Sequence, residues 1–544
     1  MIKQQDIFHA GELAAQKRAG AGDMASLVAG FIRDYMPQQH RDFHSSLPFL
    51  VISAADEEGR PWVTFLEGAE GFVTSPDERT LALATEISPA DPLASAINGG
   101  TDIGMLGIEL ATRRRNRLSG FIHPDGKGLA IDIRQTFGNC PQYIREREWH
   151  RVTDNTHGDP IIGDRLSQGQ IAQIQSADTM FIGTGQQANA GEASSGYDAS
   201  HRGGERGFVQ IVDELHLRIP DYAGNNFFNT IGNLIENPRL GLLFIDFESG
   251  SMLHITGTAV IDWEPENALD PAARRMIDVT IDAVVERPSA LALRWQSQTV
   301  GTRSLVVAEK TVESADITSL HLYPADRLPR DNFEAGQHLP VEMNIPGTPH
   351  RVRRSYSLSG SPTDDFYRLS IKRESHGLAS RHVHDTLEVG DIVEAGRPSG
   401  DFVIPCAACP LVLISAGVGI TPMLSMLHAV AADQSDRPVW FVHGARDSDH
   451  HALRNEVDKL IDAHQNLRKV IHYSQPLKSD NKGIDFDLPG RIMPEGLIGL
   501  GAGPDAHYML CGPAAFLAKI QSGLEEGGVP GDQIHFETFG PSSQ

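Results

Sequence analysis

LVLISAGVGITPMLSMLHAV, residues 411–430, is the stretch whose reading decides the fold of the second half of this chain. The apolar run Leu411–Ile414 leads into Gly417-Val418-Gly419, and Thr421-Pro422 opens an amphipathic segment. The expected structure is a buried strand, a glycine turn and a helix. Gly417 and Gly419 lack side chains, so backbone N–H groups there can approach a pyrophosphate, and the following helix adds its positive end. Two glycines alone occur in many strand–helix turns. The pattern becomes specific because a second strand, AHYMLCGP (506–513), ends in Cys511-Gly512-Pro513 at the same expected sheet edge. In open α/β sheets ligands sit beyond the carboxyl ends of the strands.

Working outward, PVWFVHGAR (438–446), ALRNEVDKLIDAH (452–464), RKVIHYSQ (468–475) and AAFLAKIQSGLEEGG (514–528) alternate apolar strands with amphipathic helices. That alternation predicts an α/β parallel-sheet nucleotide-binding domain over 406–544. Upstream, SLVVAEKTVESADITSLHLYP, FEAGQHLPVEMNI, RRSYSLSG, YRLSIKRE and DIVEAGRPSGDFVI read as short strands with Gly/Pro turns, an antiparallel β-barrel over 301–405.

The first half has another texture. Residues 1–40 read as a helical, polar lead-in. PFLVISAADEEGRPWVTFLEG (48–68) and IGMLGIELATRRRNRLSGFI (103–122) read as strand pairs. The segment FNTIGNLIENPRLGLLFIDFESGSMLHITGTAVI (228–261) repeats the order helix, strand, turn, strand. In the register that lays Gly104 on Gly241, Gly120 falls on Gly257, Met105-Leu106 on Leu242-Leu243, Ile108 on Ile245 and Leu118 on Ile255. The expectation is a duplicated β-unit within 41–265, with repeats at 45–150 and 170–265. Such a pair would build internally a two-fold contact that single-copy relatives make by dimerising. TRRRNR (112–117) reads as a solvated basic turn; the alternative is that Arg113–Arg115 reach across the pseudo-two-fold. Residues 266–300, DPAARRMIDVTIDAVVE followed by LALRWQSQ, read as a helical connector.

Bulk properties exclude several classes. At 544 residues the chain exceeds what one core organises. A net charge of -24 argues against nucleic acid and anionic membrane as partners. The four cysteines, Cys140, Cys406, Cys409 and Cys511, are too few for a disulfide framework and lack iron–sulfur spacing. Cys406-Ala407-Ala408-Cys409 has redox-pair spacing and is read as two reduced thiols. With no signal-peptide core and no long apolar run, the expected location is cytoplasmic. His201, His216, His254 and His450-His451 do not have metal-ligand spacing, so no metal is expected.

The segment 303–541 resembles the ferredoxin–NADP reductase superfamily, and within it the reductase half of flavohaemoglobins. The resemblance rests on Arg354-Ser355-Tyr356-Ser357, Gly417-Val418-Gly419-Ile420-Thr421-Pro422, Cys511-Gly512-Pro513 and Glu537-Thr538-Phe539-Gly540-Pro541, in that order. It implies that Arg354, Tyr356, Ser357 and Ile371 bind FAD, with Tyr356 and Ser357 by the isoalloxazine. Gly377, Leu378, Ala379 and Ser380 would meet the FAD pyrophosphate. Gly417, Gly419, Thr421, Pro422, Cys511, Gly512 and Pro513 would hold NAD(P)H. Tyr356, Ser357, Glu537 and Phe539 would form the catalytic set, Phe539 covering the ring until nicotinamide displaces it. Arg446 and Asp447 fall where the adenosine ribose would lie, and Asp447, opposing a 2'-phosphate, tips the balance to NADH.

The region 45–265 resembles the pyridoxamine 5'-phosphate oxidase-like, FMN-binding split-barrel family. The matching text is DASHRGGERGFVQIV, then LRIPDYAGNNFFNTIGNLIENPRLGLLFIDF and HITGTAVI. By this resemblance Ser200, His201, Arg202, Asn225 and Asn226 would bind FMN. The turn departs from the family pattern, having asparagines where those enzymes carry basic residues. Together the resemblances imply an NAD(P)H oxidoreductase passing electrons through FAD to FMN or to a small-molecule acceptor. The alternatives are a split barrel that binds haem or a partner protein, and an electron supplier to a separate oxygenase. The duplicated barrel is compatible with a monomer or a homodimer.

Overall fold

A computed structural model describes every residue except 1–6, 22–31, 139–142, 187–193, 223, 266–272, 298–301, 347, 349–350, 376, 406–407, 434–435 and 539–544. The chain divides into two compact units, Met1–Gln298 and Thr299–Gln544.

The first unit contains two antiparallel sheets. One runs Pro61–Glu67, Phe49–Ala55, Thr101–Glu109, Arg114–Asp125, Gly128–Gly138, Thr80–Leu83, Val73–Asp77. The other runs Gly196–Gly203, Thr179–Gln186, Arg239–Asp246, Ser251–Asp262, Arg275–Arg287, His216–Asp221, Gln210–Ile211, with Ile161–Gly163 added beside Arg275–Arg287. Strand for strand the two orders are the same. The register shifts at Ser119/Gly120 in one sheet and at Thr256/Gly257 in the other. A Cβ on Gly120 would lie 2.2 Å from the Asp132 carbonyl oxygen, and one on Gly257 2.2 Å from that of Thr280. Only glycine fits at either bulge.

The strands bury both faces because the halves pack on each other. Leu50 and Ile52 point into the first half's own core, whereas Phe49 and Val51 point into a core shared with Phe181, Leu243 and Trp295. Met180 and Ile182 fill the second half's core. In the shared layer Phe49 stacks on Phe65 at 4.6 Å and Phe181 meets Phe65 edge-on at 5.1 Å. The halves cross at two glycines. A Cβ on Gly104 would stand 2.5 Å from Asp198 Cα, and one on Gly241 2.7 Å from Trp62 Cα.

Two expectations are corrected here. The 266–300 segment is not a helical connector: its described part forms the strands Arg275–Arg287 and Leu293–Ser297. Ile277, Val279 and Ile281 are buried while Thr280 and Asp282 are exposed, a two-residue period that the Ala, Arg and Asp content disguised. Cys409 is disulfide-bonded rather than a reduced thiol; Cys140 and Cys406 lie outside the described residues. The N-terminal segment also does more than lead in. Its helix Ala10–Arg18 crosses the helix Asn229–Glu236, where a Cβ on Gly11 would meet the Gly232 oxygen at 2.2 Å.

In the second unit a six-stranded antiparallel sheet has the order Val352–Ser357, His338–Met343, Ile392–Ala395, Arg303–Val312, Ile317–Pro324, Tyr367–Lys372. A parallel sheet follows, ordered Leu488–Pro489, Leu467–Tyr473, Val439–Ala445, Leu411–Ala416, His507–Gly512, Ile534–Thr538. Among the described residues no helix is long and apolar enough to cross a membrane.

Gly104→Ala and Gly241→Ala are each expected to lower the stability of the first unit by about 1–3 kcal/mol, since backbone stands where the methyl would go. Gly99→Ala, whose Cβ meets nothing within 4 Å, is expected to change it by less than about 0.5 kcal/mol. Urea unfolding of the three variants measures the contrast.

Candidate functional site

In the second unit, the strand Leu411–Ala416 lies between Val439–Ala445 and His507–Gly512, all parallel, so their carboxyl ends form one edge. At that edge Gly417 takes a φ of +56°, and a Cβ there would meet nothing within 4 Å. The helix Ile420–Asp433 begins immediately after the turn Gly417–Gly419. Gly419 lies so close to the next strand end that a Cβ would be 2.2 Å from the Cys511 oxygen. Thr421 Oγ1 donates to the Val418 carbonyl at 3.0 Å and ties the turn to the helix. Pro422 sits buried in the first helical turn, where its missing N–H costs nothing, and Pro513 caps the helix Ala514–Glu526.

The strand Ile534–Thr538 adds beside His507–Gly512 and sets Glu537 opposite Cys511. The Cys511 thiol is fully buried, and burial, then the Glu537 charge, push its pKa up. From the barrel, Ser357 Oγ donates a long hydrogen bond of 3.5 Å to Glu537 Oε2, and His338 Nδ1 lies 4.0 Å from Glu537 Oε1. His338 and Ser357 are ladder partners on adjacent strands. Tyr356 faces the other way from Ser357, half-buried against the barrel core; burial pushes its hydroxyl up to about 12 although Arg354 opposes this. Arg354 is exposed and donates to the Arg353 carbonyl at 2.7 Å. Ile371 is buried in the barrel, and its carbonyl accepts from His384 Nε2 at 2.8 Å. Gly377 caps the helix Leu378–Asp385; Ala379 is buried and Leu378 exposed. Ser380 Oγ accepts from the Glu374 N–H at 3.1 Å and donates to the Gly377 carbonyl at 3.1 Å. Phe539 lies outside the described residues.

The barrel and the parallel sheet are pinned by an ion pair that the sequence reading missed. Arg368 grips Glu456 with two N–H donors, at 2.6 and 2.9 Å, and His428 Nε2 meets the same carboxylate at 2.5 Å. Burial works to raise the Glu456 carboxyl, but the His428 and Arg368 hydrogen bonds outweigh it and hold it down at about 2.

A second candidate site is a cavity in the first unit. Ser200, His201, Arg202, Asn225 and Asn226 all line it, together with Arg115, Arg117, Thr230 and Arg275. The basic segment is therefore not a solvated turn. Arg113 is 8% exposed and pairs with Glu146 at 3.2 Å; Arg117 is 5% exposed and is met by residues of the second half. Arg202 Nη1 and Arg275 Nε both donate to Asp221, at 2.6 and 2.8 Å. Arg117 Nη1 donates to Asn229 Oδ1 at 3.3 Å and pairs with Asp198. His201 is buried with neither ring nitrogen hydrogen-bonded. Burial, then the charges of Arg115, Arg147 and Arg202, hold its pKa well below the usual value, so it stays neutral. Asn226 and Phe228 take φ of 60° and 61°, so the turn beneath the cavity is strained. Arg115 was legible only in the alternative that Arg113–Arg115 reach across the pseudo-two-fold, and Arg117 was read only as part of the solvated turn. Asp221 and Arg275 carried no local signal.

Behind the cavity Glu12 joins Asn229 through a hydrogen bond. Burial raises its pKa to about 8, against the His9 N–H, Asn229 and Arg117. Among the described residues no group of His, Cys, Asp or Glu side chains is disposed to hold a metal ion.

Residues 304–404 match the oxidoreductase FAD-binding domain family and residues 413–522 the oxidoreductase NAD-binding domain family. Together these matches define an FAD- and NAD-binding oxidoreductase module of the ferredoxin–NADP reductase-like kind in the second unit. It is 40% identical to the flavohemoprotein of Bacillus subtilis (strain 168) over 240 residues, 44% of this chain and 59% of that one. It is 40% identical to the flavohemoprotein of Rhizobium meliloti (strain 1021) over 262 residues, 47% of this chain and 64% of that one. The chain thus spans about three fifths of the length of these relatives. A similar solved structure is the flavohem-like FAD/NAD binding domain of nitric oxide dioxygenase from Vibrio cholerae O1 biovar El Tor, 34% identical, with a TM-score of 0.40, covering 44% of this chain and 99% of that one.

Glu12 supplies a pH prediction. A carboxyl raised from 4.5 to about 8 gives stability that is complete below pH 4.5 and lost as pH rises through 8. Glu12→Gln removes this loss. The variant is expected to melt near the parent at pH 5 and above it at pH 8.5; melting curves at the two pH values show whether the gap opens.

Proposed function

We propose that this chain oxidises NADH or NADPH at an FAD held by the barrel of the second unit and delivers the electrons to an acceptor bound in the cationic cavity of the first. The observation that carries the reading is the meeting of Ser357 from the barrel with Glu537 from the nucleotide lobe, beside the Gly419–Cys511 edge. Among the described residues nothing lies within 4 Å of where a Cβ on Gly417 would be, so no described side chain screens the turn from a dinucleotide phosphate. Bound FAD supplies a centre that takes a hydride and releases electrons one at a time. Ser357 orients at that ring, and Glu537, backed by His338, holds or returns a proton at the Ser357 hydroxyl. Arg354, which donates to a neighbouring carbonyl, would turn to the FAD phosphates.

We read the first unit as a duplicated split barrel of the pyridoxamine 5'-phosphate oxidase-like kind, with FMN as the cavity's occupant. Among the described residues four arginines line the cavity (Arg115, Arg117, Arg202, Arg275), and of these Arg117 pairs with Asp198 while Arg202 and Arg275 meet Asp221, an excess of cations that suits a phosphate. The hydrogen-bonding nitrogens of His201, buried without partners, suit a polar ligand. The basis for preferring NADH changes with the fold. Asp447 is buried and joined to His450 Nδ1 at 2.6 Å, while Arg446 stays exposed. The carboxylate thus does not stand against a 2'-phosphate.

Anaerobic titration with NADH and with NADPH, following flavin absorbance, tests the proposal and names the donor. Extraction is expected to yield FAD and FMN. A Soret band would instead put haem in the cavity, and a protein that oxidises neither nucleotide would end the proposal. Ser357→Ala is expected to lower kcat for NAD(P)H oxidation about tenfold, the equivalent of one hydrogen bond, while FAD stays bound.

A further inference from the structure

The helix Ala10–Arg18 forms the back of the cavity in the first unit. It lies against the helix Asn229–Glu236 at Gly11 and Gly232, where a Cβ on Gly232 would stand 2.5 Å from the Glu12 nitrogen. Gln16 Nε2 donates to the Phe227 carbonyl at 3.1 Å and ties the first helix to the turn that carries Asn225 and Asn226. His9 Nδ1 accepts from the Gly11 N–H at 3.2 Å, so its Nε2 carries the proton and donates to Asn233 Oδ1 at 2.9 Å. Asn233 Nδ2 in turn donates to Thr184 Oγ1 at 3.1 Å. The imidazole is thus held neutral, and burial keeps its pKa down at about 4 against the bond to Asn233.

Into this wall the chain builds a carboxylate, Glu12, 4% exposed. One oxygen accepts from the His9 N–H at 2.9 Å and the other from Asn229 Nδ2. Asn229 lines the cavity, and its Oδ1 accepts from Arg117 Nη1 at 3.3 Å. A guanidinium only donates, so the amide has one possible orientation, oxygen to Arg117 and nitrogen to Glu12. Guanidinium, amide and carboxylate form a line from the cavity into the protein behind it, and hydrogen bonds in such a line polarise one another. Among the described residues the charged or titratable groups near Glu12 are His9, whose Nε2 is 3.6 Å away, Arg117 from the strand Arg114–Asp125, and Glu236, which packs by Gly11 on the facing helix. Arg117 is itself paired with Asp198, so Glu12 shares its cation with a second carboxylate.

We propose that Glu12 positions Asn229 and Arg117 for the cavity's ligand, and that an anionic ligand enters together with a proton, which the Glu12 carboxylate takes from solvent. Two negative groups on either side of Asn229 oppose each other in a medium of low dielectric, and forming the Glu12 O–H bond removes the opposition. Burial, against the His9 N–H, Asn229 and Arg117, already sets the carboxyl at about 8. Below about pH 7 Glu12 is neutral with or without ligand, and affinity does not depend on it. Above about pH 8 binding must draw the proton in, so affinity falls as pH rises. The linkage needs only that the cavity takes an anion; FMN as that anion rests on the functional reading above.

Calorimetric titration of the full-length protein with sodium sulfate, a dianion throughout the range used, tests the linkage in two buffers of different ionisation enthalpy. A coupling of about tenfold gives uptake of about half a proton per sulfate at pH 8.5 and affinity about threefold weaker there than at pH 7. The range stops at pH 8.5 because burial, then Arg115 and Arg202, bring Arg117 down to about 9. Glu12→Gln, locked in the neutral form, is expected to take up no proton and to lose the threefold change. Where FMN purified with the protein holds the cavity, its fluorescence on release gives the same reading, retention about threefold weaker at pH 8.5 than at pH 7 in the parent alone. Binding without proton uptake or pH dependence in the parent overturns the inference, as does an uptake that persists in Glu12→Gln, or a protein that holds neither sulfate nor FMN. Sulfate bound with proton uptake by a protein that yields no FMN ends the flavin reading and leaves the linkage standing. Should Glu12→Gln fail to fold, the parent's own proton count decides, near zero at pH 7 and about one half at pH 8.5.

Discussion

The cavity of the first unit exists because two backbones come closer than a methyl group permits. At Gly104 and Gly241 the sheets cross with another strand's Cα about where a Cβ would be. That approach lets strand Arg114–Asp125 of one half deliver Arg115 and Arg117 to a site whose remaining residues, Ser200, His201 and Arg202, stand on a strand of the other. It also turns the outward faces of Phe49–Ala55 and Thr179–Gln186 into a shared core. Each fully buried Phe or Leu in that layer is worth about 1.5–3 kcal/mol, which offsets the cost of enclosing the guanidiniums nearby.

The second unit uses the same device for another end. Gly419 allows the glycine turn to lie against the Cys511 carbonyl, so two strand ends form one floor. The final described strand then places Glu537 beside that floor and within reach of Ser357 in the barrel. The Arg368–Glu456–His428 cluster holds the barrel against the sheet a short distance away. An ion pair so well satisfied fixes orientation more than it adds stability, because desolvating the charges consumes most of their attraction.

The common strand order of the two sheets sets residues at corresponding positions, and side-chain chemistry makes those positions different. A hydroxyl at Ser200 and at Thr64 preserves the frame. At each position the hydroxyl donates to a carboxylate of the chain, Ser200 to Asp198 and Thr64 to Asp91. His201 and its counterpart Phe65 differ in the same direction, polar at the cavity and apolar in the shared core.

What was legible in the residues is what depends on neighbours along the chain. The strand–glycine–helix text at 411–430, the strand ending in Cys511-Gly512-Pro513 and the pairing of Gly104 with Gly241 are local patterns, and local backbone geometry enforces them. The cavity residues Ser200, His201, Arg202, Asn225 and Asn226 were found through family likeness and do lie together. The connector was misread because the composition of Arg275–Arg287 suits a helix, while its two-residue burial pattern appears only once sheets cover one face. The TRRRNR segment was read as solvated because a run of arginines is usually wet; in the fold Arg113 and Arg117 are buried and Arg115 is half-buried. The sequence by itself determined the succession of β-units, barrel and parallel sheet, along with the glycines that each close approach requires. Only the tertiary structure decided which charges face inward and which barrel residue meets Glu537, since burial and electrostatic partnership are set by segments distant in the chain.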